Sequence, residues 1–86
     1  MRLSIIIVNF KSISYILDCL ASAEPTLRED KTIEWIVVDN EDSTDCKDAL
    51  AQEYPFVKFV KMGYNAGFAR ANNAGIQLAT GAQILL

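Results

Sequence analysis

Histidine is missing from this 86-residue chain, and its absence removes more functions than any other feature of the composition. Ser-His-Asp and Cys-His nucleophile systems are excluded, as is histidine-ligated zinc. Cysteine occurs twice, at Cys19 and Cys46, in no metal-ligand spacing. Both fall in segments expected to be helical, where a free thiol serves as a small buried hydrophobe and fits a reducing compartment. Eight Lys and Arg stand against eleven Asp and Glu, for a net charge of −3. No cluster of basic residues could neutralise a run of phosphates, which argues against nucleic acid as a partner. One small phosphorylated ligand is still allowed, because a few oriented N–H groups and one Arg suffice to hold it. Long apolar runs are lacking too. Ile5-Ile6-Ile7-Val8 is broken at once by Asn9, too short for the core of a signal peptide or for a bilayer span. The expected location is cytoplasmic, with peripheral membrane association left open for a full-length parent.

What is present fits one domain over residues 1–86. At 51 % hydrophobic and 22 % charged the chain is globular and not disordered. No repeat, linker or low-complexity stretch interrupts it. Leu3 to Phe10 is a continuous β-branched run without polar alternation, the pattern of a strand covered on both faces. Over residues 13–24, Ile13, Ile16, Leu17 and Leu20 form one helical face, with Ser12 as N-cap and Pro25 as the stop. A second buried strand runs from Ile33 to Asp39. Thr44 to Tyr54 reads as a helix with Asp45 and Asp48 at its positive end and an apolar stripe of Cys46, Ala49, Leu50 and Tyr54. Phe56 to Val60 is a third strand. The loop from Met62 to Ala66 leads to a helix from Gly67 to Ala79 with Ala71, Ala74, Gly75 and Leu78 on its small apolar face, and Ala82 to Leu86 begins a fourth strand. Strands alternating with helices predict a parallel sheet with right-handed crossovers. Ligands of such sheets lie beyond the carboxyl ends of the strands.

Polar residues gather at those ends. Asn9 closes the first strand; its amide suits a base edge, or equally the backbone of its own turn. Asp39-Asn40-Glu41-Asp42-Ser43-Thr44-Asp45 follows the second strand. Asp42, Ser43 and Thr44 read as a solvated loop and helix cap. Asp39 abuts Val37-Val38, where a carboxylate is costly to desolvate without a partner, and can accept from a ribose hydroxyl or the N3–H of uracil or thymine. Gly63 to Gly75 is neither a G-x-G-x-x-G nor a P-loop segment. It offers an Asn65-x-Gly67 turn into a helix, then Arg70 and Asn73 on one face. That guanidinium and amide could hold a phosphate or bond a base, against the plainer reading of an exposed salt-bridging Arg. Asp39 and Arg70 are expected to share one pocket.

These segments together resemble family 2 glycosyltransferases with the GT-A fold, in particular the rhamnosyltransferase-like branch. The resemblance rests on Ser4 to Phe10, on Leu17 and Leu20, on Ile36-Val37-Val38-Asp39-Asn40 with Ser43 and Asp45, on Asn65 to Asn73 with Gly75-Ile76, and on Ala79, Gly81 and Ile84-Leu85-Leu86. It implies a three-layer α/β sandwich, the Rossmann-like nucleotide-binding half of that fold, with strand order 3-2-1-4. It further implies an inverting enzyme that uses a UDP- or dTDP-linked sugar and an acceptor sugar or glycolipid, as in cell-envelope polysaccharide synthesis. By position Asp39 resembles the residue that bonds the base or ribose, and Asn9 lines the same pocket. Arg70 and Asn73 are similar to residues near the nucleotide and its phosphates, and Asn65 and Gly67 to loop-shaping ones. In the family an Asp-x-Asp-like motif follows the fourth strand and coordinates Mg²⁺ or Mn²⁺; the catalytic base lies further on. Neither is in these residues, so no catalytic or metal-ligating residue is assigned. The chain reads as a fragment truncated after its fourth strand, supplying nucleoside recognition without turnover. A different class of reading is a non-catalytic α/β module that self-associates into a homo-oligomer through an exposed sheet edge. A nucleotidyltransferase would carry a Gly-rich, basic loop where Asn9-Phe10-Lys11-Ser12 stands.

Overall fold

Strands and helices alternate along residues 1–86, all of which are described by a computed structural model. The order is β1 (Leu3–Asn9), α1 (Ile13–Ser22), α2 (Thr26–Glu29), β2 (Ile33–Asp39), α3 (Asp45–Glu53), β3 (Lys58–Lys61), α4 (Phe68–Leu78) and β4 (Gln83–Leu85). The four strands form one sheet in the order β3-β2-β1-β4, and every pairing is parallel. β1 and β2 lie side by side over their full length, from Leu3 opposite Ile33 to Asn9 opposite Asp39. β4 reaches only Leu3, Ser4 and Ile5 of β1.

Each face of the sheet carries its own core, which makes three layers. On one side Ile16, Leu20, Leu27, Cys46 and Leu50 of α1, α2 and α3, with Tyr54 just after α3, close over Val37, with Ile7, Trp35 and Phe59 at the margin. On the other side Ala71 of α4 meets Ile6, Ile36 and Val38. The β-branched stretches Ile5 to Val8 and Ile36 to Val38 are explained by this double coverage, since every position of β1 and β2 is buried or half-buried. Fully burying Leu20, Ile36, Val37 and Val38 contributes roughly 1.5–3 kcal/mol per side chain. Gly75 lets α4 settle onto the sheet: a Cβ there would stand 2.6 Å from Ile6 Cγ2 and 3.1 Å from Val38 Cγ2.

Several local expectations are corrected. Pro25 does not simply end a helix: α1 stops at Ser22, and the chain turns through Pro25 into the short α2, which buries Leu27. A proline is compatible with a helix start because the donor it lacks would be unpaired there anyway. β3 begins at Lys58 rather than Phe56, because the Val57 N–H turns back to the Tyr54 carbonyl at 3.1 Å. Cys19 is exposed and only Cys46 is buried, since Ile16 and Leu20 define the inward face of α1. Leu78 likewise lies outside the buried stripe of α4, which is Ala71, Asn72 and Gly75.

Candidate functional site

At the carboxyl ends of the first three strands a polar row replaces the apolar ones beneath it. Asn9 of β1 is in register with Asp39 of β2, and Asp39 with Lys61 of β3. Residues in register on parallel strands project from the same face, so these three side chains form one line. The Asn9 amide nitrogen donates to Asp39 Oδ1 at 2.9 Å, and the Lys61 ammonium donates to Asp39 Oδ2 at 3.1 Å. Asp39 and Asn9 have no exposed surface, whereas the Lys61 side chain is 31 % exposed. A charge this deep needs both partners. Two donors fill only part of a carboxylate's roughly four lone-pair sites, so Asp39 retains capacity to accept.

Asn9 uses its whole amide within the protein. Its Oδ1 accepts from the Ser12 N–H at 3.0 Å and the Ser12 hydroxyl at 3.1 Å, while its nitrogen also donates to Glu41 Oε1 at 3.3 Å. The Ser12 hydroxyl thus serves Asn9 and makes no side-chain cap on α1. The other oxygen of Glu41 accepts the Lys11 N–H at 3.0 Å. Glu41 therefore ties the loop after β2 to the loop after β1. Lys11 has φ of 54°, left-handed backbone that costs a side-chain-bearing residue about 1–2 kcal/mol. Beside it Phe10 exposes 44 % of its surface, with the Lys11 ammonium 5.3 Å from its ring centroid. Lys61 reaches across the same loop to the carbonyl of Ser43 at 2.6 Å.

A second set of contacts leads from β2 toward α4. Asn40 is buried; its nitrogen donates to Asn65 Oδ1 at 3.1 Å, and its Oδ1 accepts the Ala66 N–H at 2.8 Å. Asn65 Oδ1 also accepts the Gly67 N–H at 3.2 Å, and Gly67, with φ of 90°, starts α4 without a side-chain cap. Asn65 and Gly67 thus lie in the turn that enters α4, and the amino end of α4 lies next to the carboxyl end of β2. Arg70 and Asn73 are exposed on α4, and neither side chain takes part in a hydrogen bond or ion pair within the chain. Asn72, not Asn73, is the buried amide of this helix.

The structure brings Asn9 and Asp39 together but does not bring Asp39 to Arg70. Asp39 projects from the face of β2 that Trp35 and Val37 share with α1 and α3, while Arg70 belongs to α4 on the opposite layer. One pocket enclosing both is therefore not present; only a ligand laid over the end of the sheet could touch the two. Lys61, Glu41, Asn40 and Phe10 were not singled out from the sequence. For Lys61 the signal existed, since it follows Phe59-Val60 as Asp39 follows Val37-Val38, but ending the third strand at Val60 left it outside.

The chemistry available here is hydrogen bonding and charge. Burial, and after it the nearby charges of Asp39 and Glu41, push the Cys46 thiol up to about 12, so it is no nucleophile near neutrality. No three His, Cys, Asp or Glu side chains converge as a metal site. The donor set within these residues does not fit a divalent cation.

A single sheet of four parallel strands in the order β3-β2-β1-β4, with helices on both faces, matches the N-terminal half of a GT-A, Rossmann-like fold. The profile of Glycosyl transferase family 2 matches residues 4–86, and the chain belongs to that family. Among solved structures it is similar to S. aureus TarS, residues 1–349, with a TM-score of 0.71 and 23 % sequence identity. The match covers 100 % of this chain and 27 % of that one, so the chain spans about a quarter of the similar structure's length. No curated protein matches the chain.

Proposed function

We propose that residues 1–86 form the nucleoside-recognition part of an inverting glycosyltransferase that moves a sugar from a nucleoside diphosphate donor to an acceptor hydroxyl. The observation that carries this is the Asn9–Asp39 pair: a buried carboxylate at the carboxyl end of a central parallel strand, held at 2.9 Å by its neighbour and still able to accept. Asp39 accepts from the base N–H or a ribose hydroxyl. Asn9, whose amide is fully used, aims Asp39 instead of touching the ligand. The exposed ring of Phe10 offers a stacking surface beside it. The amino end of α4, with unpaired N–H groups typical of a helix start, and Arg70 in its first turn attract the diphosphate from the other layer. Since Asp39 has no exposed surface, recognition requires the Glu41–Ser43 segment to lift. A single displacement at the anomeric carbon, with a base on the acceptor hydroxyl, would belong to the complete enzyme; Mg²⁺ or Mn²⁺, held by residues outside 1–86, would supply charge stabilisation there. A UDP- or dTDP-linked donor and a sugar or glycolipid acceptor are the partners this reading names. No helix is long and apolar enough to cross a membrane; a cytoplasmic location remains part of the proposal.

Calorimetric titration with UDP tests the reading. Binding by the wild-type chain, weakened about tenfold or more by Asp39→Asn, is expected, the equivalent of roughly 1.4 kcal/mol. Equal binding by both would remove Asp39 from the site. With donor, Mn²⁺ and acceptor sugars added, the 86-residue chain is expected to give no transfer.

One observation favours a second, compatible reading, self-association. β4 leaves Ile6 to Asn9 of β1 without a strand on that side, and a cavity of about 330 Å³ there is lined by Ile6, Val8, Phe68, Leu85 and Leu86 among others. An unpaired apolar edge of this kind recruits another strand, here from a second copy. Light scattering over a range of concentrations separates dimer from monomer, and an invariant monomer mass would dismiss this reading.

A further inference from the structure

Asp39 is fully buried, yet the segment that follows it is fastened by side chains alone. No backbone–backbone hydrogen bond involves Glu41, Asp42 or Ser43. Both ends of the segment are fixed. Before it, the Asn40 N–H donates to the Asn9 carbonyl at 2.8 Å, and the Asn40 amide bonds Asn65 and Ala66. After it, the Thr44 carbonyl accepts the Asp48 N–H at 3.0 Å in the first turn of α3. We propose that Glu41–Ser43 is a hinged strap over Asp39 and that the Glu41 carboxylate is its latch, so that Glu41 governs access to the site; this rests on the nucleoside reading above.

The contacts divide into those that hold the strap and those that hold Asp39. Glu41 Oε2 accepts the Lys11 N–H at 3.0 Å, and Oε1 accepts from the Asn9 amide at 3.3 Å. Lys61 donates to the carbonyls of Ser43 and Glu41, at 2.6 and 3.5 Å. Lifting the strap breaks these bonds. It leaves Asp39 with the Asn9 donor at 2.9 Å and the Lys61 ammonium at 3.1 Å, so the carboxylate is uncovered without losing its partners. Glu41 is the releasable fastener, because strand register keeps Lys61 beside Asp39 wherever the segment lies. Asn9 likewise keeps Asp39 and Ser12 when Glu41 leaves, and Lys11 is exposed, so its N–H passes to water. A site whose open form is a minor population binds with an affinity reduced by that fraction. Loosening the latch therefore tightens binding, the opposite of losing a ligand contact.

The test is a nuclear magnetic resonance titration with uridine, a neutral probe, of wild type, Glu41→Asp and Asp42→Asn. Asp at position 41 keeps the charge and loses the reach of one methylene. Asp42→Asn is the control: it removes a charge from the same strap, where the Asp42 side chain is exposed and makes no hydrogen bond or ion pair. E41D is expected to bind uridine about tenfold more tightly than wild type, the factor that one hydrogen bond to a charged group commands. D42N should match wild type. Hydrogen exchange in the centre of β2 checks that each variant is folded. Uridine binding by E41D equal to or weaker than that of wild type overturns the latch while leaving the nucleoside reading intact. A gain in D42N as large as in E41D assigns the effect to charge and also overturns it. Uridine bound by none of the three ends both readings. Should E41D not fold, Glu41→Gln carries the test, since it keeps the reach without the charge; binding no tighter than wild type then counts against the latch.

Discussion

Ser4 and Glu34 meet at the amino ends of β1 and β2 as Asn9 and Asp39 meet at the carboxyl ends. The Ser4 hydroxyl donates to Glu34 Oε1 at 2.5 Å, and the Thr80 N–H reaches the same oxygen at 2.6 Å. Lys58 and the Thr80 hydroxyl occupy the other oxygen, at 2.7 and 3.1 Å, and the Gly81 N–H closes the cluster on the Ser4 hydroxyl at 2.8 Å. Three strands are thereby joined through one buried carboxylate, and the turn that sets β4 beside β1 is held to it.

That cluster makes stability depend on pH in a defined window. Burial pushes the Glu34 carboxyl up, but the hydrogen bonds from Lys58, Ser4 and Thr80 outweigh it and hold the group at about 2, below its ordinary 4.5. A carboxyl lowered by folding stabilises the native state above the unfolded value and loses that contribution as pH falls through the folded one. Between pH 4.5 and 2 the wild type is therefore expected to lose roughly 2–3 kcal/mol from this residue. Glu34→Gln should already lack it at pH 7 and show a flatter decline. Urea unfolding of both proteins across that range decides, and identical slopes would assign the acid sensitivity to other carboxylates.

Gly75 is a packing residue, and adding one methyl should be felt. Helix propensity favours Ala by about 1 kcal/mol, but overpacking against Ile6 and Val38 costs about 1–3 kcal/mol. Gly75→Ala is expected to be destabilising on balance, by roughly 1–2 kcal/mol in chemical unfolding. A more stable variant would mean that α4 shifts freely on the sheet.

Lys11 is strained and Glu41 holds it. Lys11→Gly removes the cost of the left-handed backbone and adds unfolded-state entropy; the difference should stabilise the chain by up to about 1 kcal/mol. Glu41→Ala frees the Lys11 N–H, so hydrogen exchange at residue 11 should accelerate while exchange in the centre of β2 stays slow. Unchanged exchange at that amide would show that the loop holds without Glu41.

The two thiols differ in reach. Cys19 is exposed and Cys46 buried. A thiol reagent at pH 8 is expected to modify one cysteine in the native chain and two in denaturant, with protection of the second tracking global stability. Rapid labelling of both would contradict the packing of α3.

Much of the fold could be read from patterning. The apolar runs Ile5 to Val8 and Trp35 to Val38 located β1 and β2, because the middle of a strand covered on both faces shows no alternation of apolar and polar positions. α2 was not legible, since four residues after a proline carry no periodicity. The site was legible in part. Asp39 stood out as a charge against Val37-Val38, and Asn65-x-Gly67 as a turn. Asn73 was preferred to Asn72 because helical spacing from Arg70 defines a shared face without saying which face is inward.

Composition and order alone determined the alternation of elements, the absence of histidine chemistry and the placement of polar groups at strand ends, because these depend on neighbours along the chain. Only the tertiary structure decided which of those polar groups meet. The cross-strand register set Lys61 against Asp39, and the alternation of side chains along β2 turned Asp39 to the α1 and α3 layer, away from Arg70. Contacts between distant segments are set by the pairing of strands, and a pattern of residues along one strand carries no record of its partner's register.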